Sequence, residues 1–229
     1  MKELIAKLYR ENEQTFLNNY FRLNAFHNEN CDVASSTGKA DCWFLYLLAL
    51  QLKPKCIFEA GTFVGTTAKF LADAAMEYGG VVHTCDPKNQ FLHSERHKDN
   101  LIFYNKGAKE LVREFQKESR QIDFAFYDVD FLGPQHVLEL LSLARDSSKF
   151  VFVAHDYTTA EGKMTKGTKN IEAVWDVLKH KEYQLLIPEL QAYHKGHIVV
   201  DPEDGALIQY GINGCTAAIV PSSICDYPA

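Results

Sequence analysis

The segment Lys55–Ala68 constrains the fold most, because it joins a short apolar run, a glycine-rich turn and the start of a helix. The run 56–58 follows a proline and is typical of a fully buried strand. Glu59, Gly61 and Gly65 then interrupt the apolar pattern. Strand, glycine turn and helix in this order predict the first unit of a nucleotide-binding α/β fold.

A second acidic residue fits the same unit. The apolar run Val81–Cys85 predicts the next strand, and Asp86 ends it. A carboxylate roughly 20 residues past the glycine turn, at the end of a strand, is where ribose hydroxyls are held in such folds. The helix between the two strands is expected to begin at Thr66 or Thr67, acting as its N-cap.

Glu59 narrows the choice of nucleotide. A carboxylate beside a pyrophosphate would repel it, which disfavours an NAD-dependent oxidoreductase. S-adenosylmethionine carries a ribose, an ammonium and a sulfonium but no phosphate, so an acidic turn suits it. The pattern Glu-x-Gly-x-x-x-Gly resembles motif I of the class I S-adenosylmethionine-dependent methyltransferases. The predicted cofactor-binding residues within this unit are Glu59, Gly61, Thr62, Gly65 and Asp86. A side chain in place of Gly61 is expected to fill the space that the cofactor needs.

The composition excludes several classes of protein. The chain has 229 residues, a formal charge of −6 and 46% hydrophobic residues, which suits one α/β domain and disfavours a duplex-binding protein. Residues 1–10 carry charges among the apolar positions, unlike a signal peptide, and the longest apolar stretch, Trp43–Leu50, is too short to span a bilayer. None of the six cysteines forms a Cys-x-x-Cys pair, and Cys56 and Cys85 lie in predicted strands, which favours a reduced, cytoplasmic protein.

The remaining chain alternates strands with helices, which predicts a single α/β domain over residues 1–229 with a doubly wound, mostly parallel, Rossmann-like sheet of seven strands. Residues 1–53 are expected to form N-terminal helices and a lid loop, with Asp41 capping a helix that runs to Leu52, and residues 54–229 the core. The later predicted strands are Leu101–Tyr104, Ile122–Tyr127, Phe150–Ala154, Gln184–Ile187 and Thr216–Val220. The later predicted helices are Gly107–Glu118, Pro134–Arg145 and Ile171–Lys181.

The segments 197–200 and 206–210 predict a hairpin inserted before the last strand. The alternatives for this segment are a loop of no consequence, a dimer arm or a substrate wall. A homo-oligomer is therefore one of the open possibilities.

Polar residues follow two of the later predicted strands. Asp128 and Asp130 end one strand, and His155 and Asp156 end another. Because the carboxyl ends of parallel strands meet at one crevice, Asp128, His155 and Asp156 are candidate ligands of a divalent cation such as Mg²⁺. Asp130 is the candidate catalytic base, with His155 as a competing base or a softer ligand that would favour Mn²⁺ or Fe²⁺. The alternative is that His155 and Asp156 only cap the following loop.

The order Tyr-Asp-Val-Asp at 127–130, then His-Asp-Tyr at 155–157, resembles the macrocin-type O-methyltransferases, as does Lys106–Gly107. The resemblance covers roughly residues 50–220 and implies methylation of hydroxyl groups on sugars and related natural products. It also implies a cofactor contact at Gly107, Mg²⁺ ligation at 128, 155 and 156, and a base at Asp130. The sequence departs from the family at His155, where an acid is usual. Catechol-type methyltransferases are similar too, but Phe131 and Tyr157 stand where they carry a lysine and an asparagine.

The leading hypothesis is therefore an S-adenosylmethionine-dependent O-methyltransferase with a small-molecule acceptor and no nucleic-acid or membrane partner. His155 and the missing lysine motivate a second hypothesis, a cofactor-binding protein of the same fold that has lost catalysis. An NAD-dependent oxidoreductase is the third.

Overall fold

The computed structural model describes residues 11–15, 17–19, 22–23, 25, 37, 39–88, 90–91, 95–157, 166–178, 183–186, 198–200, 207–209 and 216–222. The strands are β1 (Cys56–Ala60), β2 (Val81–Cys85), β3 (Leu101–Tyr104), β4 (Phe124–Tyr127), β5 (Val151–Ala154), β6 (Tyr183–Leu186), β7 (Ile198–Val200), β8 (Leu207–Gln209) and β9 (Ala217–Pro221). The helices that follow residue 37 are α1 (Lys39–Leu52), α2 (Thr66–Met76), α3 (Ala108–Lys117), α4 (Pro134–Leu141) and α5 (Lys166–Leu178).

The central sheet has the order β3-β2-β1-β4-β5-β9-β6. Neighbouring strands from β3 to β5 are parallel, and β9 runs antiparallel to both β5 and β6. Six strands therefore share one direction, and the chain reverses its winding between β1 and β4. The predicted doubly wound, mostly parallel sheet is confirmed, and ligands in such sheets bind at this reversal.

The sheet is covered on both faces, which explains why its strands read as continuous apolar runs. All five residues of β1 are buried. Because side chains alternate along a strand, Ile57 packs in the core beneath α1 and α2, whereas Phe58 packs in the core beneath α3, α4 and α5. This burial fixes β1 at the centre of the molecule and brings the glycine turn after it to the crevice.

The largest differences from the predicted helix bounds are in α4 and α5. Helix α5 begins at Lys166 rather than Ile171, and its first turn includes Gly167, which reads as a loop signal by sequence. A Cβ on Gly167 would lie 2.0 Å from the His155 carbonyl oxygen, so only glycine permits this approach. Helix α4 ends at Leu141 rather than Arg145, because the following residues leave the helix to pair with Ile122.

Both predicted caps are wrong. Helix α2 begins after Gly65, which has a left-handed φ of 87° and no capping side chain, so neither Thr66 nor Thr67 is the N-cap. Asp41 lies inside the first turn of α1, and its carboxylate makes contacts elsewhere. Sequence placed the cap of α2 one or two residues late, because a glycine can enter the helix without a side-chain acceptor. Helix α1 already begins at Lys39, two residues before Asp41.

The inserted hairpin is confirmed, since β7 and β8 pair antiparallel as a separate sheet. The predicted lid loop lies outside the described residues for most of its length, and the division of the chain at residue 53 stays a prediction. Cys42, Cys56 and Cys85 are buried free thiols. Among the described residues, none of the helices combines the length and the apolar character needed to cross a membrane.

Candidate active site

The turn after β1 lies in direct contact with the end of β4. Gly61 has a φ of 95°, and a Cβ built there would lie 2.5 Å from the main-chain oxygen of Asp128. The Asp128 amide donates to the Ala60 carbonyl oxygen at 2.8 Å, which fixes the two strand ends side by side. A side chain at Gly61 would therefore strike the backbone of Asp128 first, rather than fill only cofactor space as expected from sequence. A cavity of about 20 Å³ is lined by Thr37, residues of the turn and Asp128.

Glu59 carries a buried carboxyl group, of which only one oxygen accepts a hydrogen bond from the described residues. The Thr84 hydroxyl donates a short hydrogen bond to Oε2, and the Thr62 and Thr84 hydroxyl oxygens are 2.5 Å apart. Oε1 has no hydrogen-bond partner among the described residues. Burial raises the pKa of Glu59 to about 8, against the hydrogen bond from Thr84, and the nearby Asp128 and Asp86 add to the rise. An unsatisfied acidic oxygen in a buried site fits a cationic group of a ligand.

Asp86 is held at the end of β2 by two main-chain donors. Its carboxylate accepts from the Phe63 amide at 3.0 Å and from the Lys88 amide at 2.8 Å. Phe63 has a positive φ of 49°, an uncommon conformation for a bulky residue, so the turn is held in a specific shape. Each carboxylate oxygen keeps a further lone pair for a hydroxyl donor. Asp86 is thus held against the turn, and its contact with a ribose stays a prediction.

The other two predicted glycines differ from each other. A Cβ on Gly65 would lie 2.5 Å from the ring of Phe91, so this glycine allows close packing over the turn. Gly107 precedes α3 with a φ of −75°, and a Cβ there would meet open space. The structure therefore gives no steric reason for glycine at 107, and its contact with a cofactor stays a prediction.

Asp128, His155 and Asp156 come together, as predicted from their strand ends. One ligand atom of each lies within 4.8 Å of the others, a grouping able to hold a metal ion. The His155 Nδ1 is 3.4 Å from Asp128 Oδ1 and 3.3 Å from Asp156 Oδ1. Asp156 has a left-handed φ of 52°, and such strained residues concentrate at functional sites.

Helix α5 supports this cluster from the outside. The Asn170 side chain donates to the Val129 carbonyl oxygen at 3.0 Å, and the Gly167 amide donates to the Asp156 carbonyl oxygen at 3.0 Å. The first two turns of α5 therefore fix the segments after both β4 and β5.

Asp130 is placed differently from the other predicted acids. Its side chain is exposed, two residues beyond Asp128, and it is not a member of the three-residue cluster. Its assignment as the catalytic base stays a prediction.

Sequence reasoning missed two contributors to the site, Thr84 and Asp41. Thr84 was hidden inside an apolar strand. Asp41 is 2% exposed, its Oδ1 accepts from the Thr216 amide at 3.1 Å, and its Oδ2 lies 3.5 Å from the His155 Nε2. The sequence signal for Asp41 was its position directly before the apolar stretch 42–50. An acid beside such a stretch is expected to be buried, and a buried charge needs partners.

No protein-family model and no curated protein sequence matches this chain. Solved structures do share its fold. An O-methyltransferase from Bacillus cereus in complex with S-adenosylhomocysteine is 18% identical, with 96% of this chain and 100% of that chain covered and a TM-score of 0.55. The O-methyltransferase TomG from Streptomyces achromogenes, in complex with S-adenosylmethionine, is 18% identical, with 85% and 86% covered and a TM-score of 0.57. The methyltransferase PaMTH1 from Podospora anserina, bound to S-adenosylhomocysteine, is 14% identical, with 79% and 77% covered and a TM-score of 0.52. The chain therefore has the fold of these methyltransferases.

Proposed function

We propose that this protein is an S-adenosylmethionine-dependent O-methyltransferase that acts on a hydroxyl group of a small molecule with the help of a divalent cation. The observation that carries the proposal is the contact between Gly61 and the backbone of Asp128. It makes the methyl-donor turn and the candidate cation cluster neighbours in one crevice. The bound S-adenosylhomocysteine and S-adenosylmethionine of the structures with this fold support the same ligand here.

The residues around the turn fit the methyl donor. The unsatisfied Oε1 of Glu59 suits the ligand's ammonium, and the anchored carboxylate of Asp86 suits the two ribose hydroxyls. A phosphate would disfavour the ionised form of Glu59, whereas the ligand's ammonium favours it, which keeps the NAD-dependent oxidoreductase disfavoured. When bound, S-adenosylmethionine supplies a methyl group that its sulfonium activates for transfer.

The three-residue cluster fits a divalent cation. Asp128 and Asp156 offer two carboxylates, which suffice for Mg²⁺, and the imidazole of His155 extends the choice to Mn²⁺ or Fe²⁺. When bound, the cation supplies charge that lowers the pKa of a coordinated hydroxyl.

The protein's own part in the reaction is mainly alignment, since the methyl group is already activated. The acceptor hydroxyl must lose its proton as the new carbon–oxygen bond forms. Asp130 is exposed and lies two residues beyond Asp128, so in this proposal it takes that proton and releases it to solvent. His155 competes for the role, but its two ring nitrogens face Asp41 and the cluster acids.

The deciding experiment has two arms. Calorimetric titration with S-adenosylhomocysteine and with NAD tests which ligand the turn binds, and turnover on a panel of phenols, sugars and hydroxylated natural products, with and without EDTA, tests catalysis. Binding without turnover on the panel would favour the catalytically altered protein. No binding of S-adenosylhomocysteine would overturn the proposal.

Asp86→Ala is expected to weaken S-adenosylhomocysteine binding by about 1.5–3 kcal/mol, through loss of charge-assisted ribose hydrogen bonds. Because Asp86 also accepts from the Phe63 amide, the unfolding temperature must be measured alongside the calorimetry. Unchanged affinity in the folded variant would place the ribose elsewhere.

Binding of S-adenosylhomocysteine is expected to strengthen as the pH rises toward about 8. The raised pKa of Glu59 leaves its carboxyl group mostly neutral below that value, whereas the ligand's ammonium favours the ionised form. The stability of the free protein changes with pH in the opposite direction. The raised pKa of Glu59 stabilises the fold at low pH, and that stabilisation is lost as the pH rises through about 8. Glu59→Gln should flatten both dependences, as measured by calorimetry and thermal unfolding at several pH values. An equally steep pH dependence in Glu59→Gln would assign the effect to another group.

A further inference from the structure

A buried carboxylate lies behind the candidate cation cluster. Asp41 stands in the first turn of α1, with its side chain 3% exposed, and its Oδ2 is 3.5 Å from the Nε2 of His155. The opposite ring nitrogen of His155, Nδ1, faces Asp128 and Asp156 at 3.4 Å and 3.3 Å. The imidazole therefore bridges one buried acid and two partly exposed acids.

A neutral imidazole has a single N–H, so Asp41 on one side of the ring competes for it with Asp128 and Asp156 on the other. The side chains of Asp128 and Asp156 are 18% and 36% exposed, and water compensates part of their charge. Asp41 is nearly closed off from water, and an ionised carboxylate there gains more from a hydrogen-bond donor. The balance favours the proton on Nε2, which leaves the lone pair of Nδ1 directed at the cluster.

We propose that Asp41 is a positioning residue that holds His155 in the Nε2–H tautomer, with Nδ1 kept as a ligand atom for a divalent cation beside Asp128 and Asp156. A carboxylate behind a ligating histidine fixes ring orientation and makes the histidine a better ligand. The role of Nδ1 as a cation ligand rests on the proposed function, whereas the Nε2–H tautomer of His155 does not.

The competing explanation is purely architectural. Asp41 Oδ1 accepts from the Thr216 amide at 3.1 Å and so ties α1 to the start of β9. That tie also provides the means to separate the two roles. In Asp41→Asn, the Thr216 N–H still requires an acceptor and holds the amide oxygen on its own side. The new NH₂ group then faces His155 Nε2 as a donor, which moves the imidazole proton to Nδ1 and directs an N–H at the cluster.

The test is ¹⁵N NMR of the histidine rings in cofactor-free and metal-free protein, at alkaline pH where imidazole is neutral, followed by calorimetric titration with Mn²⁺. We expect the Nε2–H tautomer for His155 in the wild type and the Nδ1–H tautomer in Asp41→Asn. Mn²⁺ affinity should fall by about 10–100-fold in the variant, the usual effect of losing such a partner. Affinity for S-adenosylhomocysteine should be unchanged.

Asp73→Asn is the matched control. Asp73 is also a buried acid, and it accepts from His97 Nε2 at 2.6 Å, but it belongs to a separate cluster with Arg22 and Arg96. The same substitution there should leave the His155 tautomer and the Mn²⁺ affinity unchanged in the folded variant.

The outcomes are distinct. An Nδ1–H tautomer in the wild type overturns the proposal, even if Asp41→Asn does not fold. Unchanged tautomer and Mn²⁺ affinity in Asp41→Asn overturn it as well. The predicted tautomer switch in a protein that binds no Mn²⁺ supports the orienting role of Asp41, and removes both the ligand role of Nδ1 and the cation from the proposed function.

Discussion

Asp128→Asn is expected to abolish divalent-cation binding and methyl transfer together, and Asp156→Asn is expected to do the same. Mg²⁺ depends on carboxylate charge, which an amide does not supply. The substitution is nearly isosteric, and the Asp128 main chain keeps its hydrogen bond to Ala60, so the fold should be retained. Calorimetry with Mg²⁺ and a turnover assay measure the two losses side by side.

Asp130→Asn tests the proton-accepting role of Asp130 separately from cation binding. This variant should bind the cation and S-adenosylhomocysteine normally, but lose rate by about 10²–10⁴-fold, as is typical for a general base. The asymmetry follows from geometry, since Asp130 is exposed and outside the cluster that Asp128 forms.

Chelation is the control for both substitutions. Turnover that survives EDTA, with no Mg²⁺ binding by the wild type, would show that Asp128 and Asp156 only bind backbone groups. The remaining mechanism would then be alignment of the acceptor hydroxyl by His155 or Asp130. Full activity of Asp130→Asn would instead transfer the proton-accepting role to His155.

Gly61→Ala is expected to abolish S-adenosylhomocysteine binding and to lower the free energy of unfolding by more than about 1–3 kcal/mol. That range is the usual cost of a strained backbone conformation alone, and Gly61 has a φ of 95°. The added Cβ would also lie 2.5 Å from the Asp128 carbonyl oxygen, so β4 must shift away from β1 at the crevice. Gly61→Val, with its larger side chain, should unfold still more readily.

Gly79→Ala is the matched control for the backbone strain. Gly79 also has a positive φ, 72°, but a Cβ there would have no atom within 4 Å. The difference in unfolding free energy between the two variants therefore reports the close approach to Asp128. Equal destabilisation by both substitutions, with cofactor affinity retained in Gly61→Ala, would contradict the assignment of this turn as the methyl-donor site.

The sequence by itself determined the elements and the crevice. Strands β2 and β3 begin and end at the residues predicted from apolar runs, because a strand buried on both faces must be continuously apolar. The same reasoning placed Asp86 and Asp128 directly after strands, since a polar residue closes each run. Glu59, in contrast, lies inside β1, although by sequence it reads as the residue that ends this strand. Parallel order then brings those ends to one edge, so Asp128, His155 and Asp156 could be grouped before any distance was known.

Only the tertiary structure decided what these residues touch. Asp41 reads as a helix cap by sequence, yet its carboxylate meets Thr216 and His155, which lie more than a hundred positions away along the chain. Gly167 reads as part of a loop, yet it lies in the first turn of α5, where the His155 backbone leaves no room for a Cβ. Periodicity and capping patterns record only local preferences. The close approach of backbones and the partner of a buried charge are set by packing between distant segments, which no local pattern encodes.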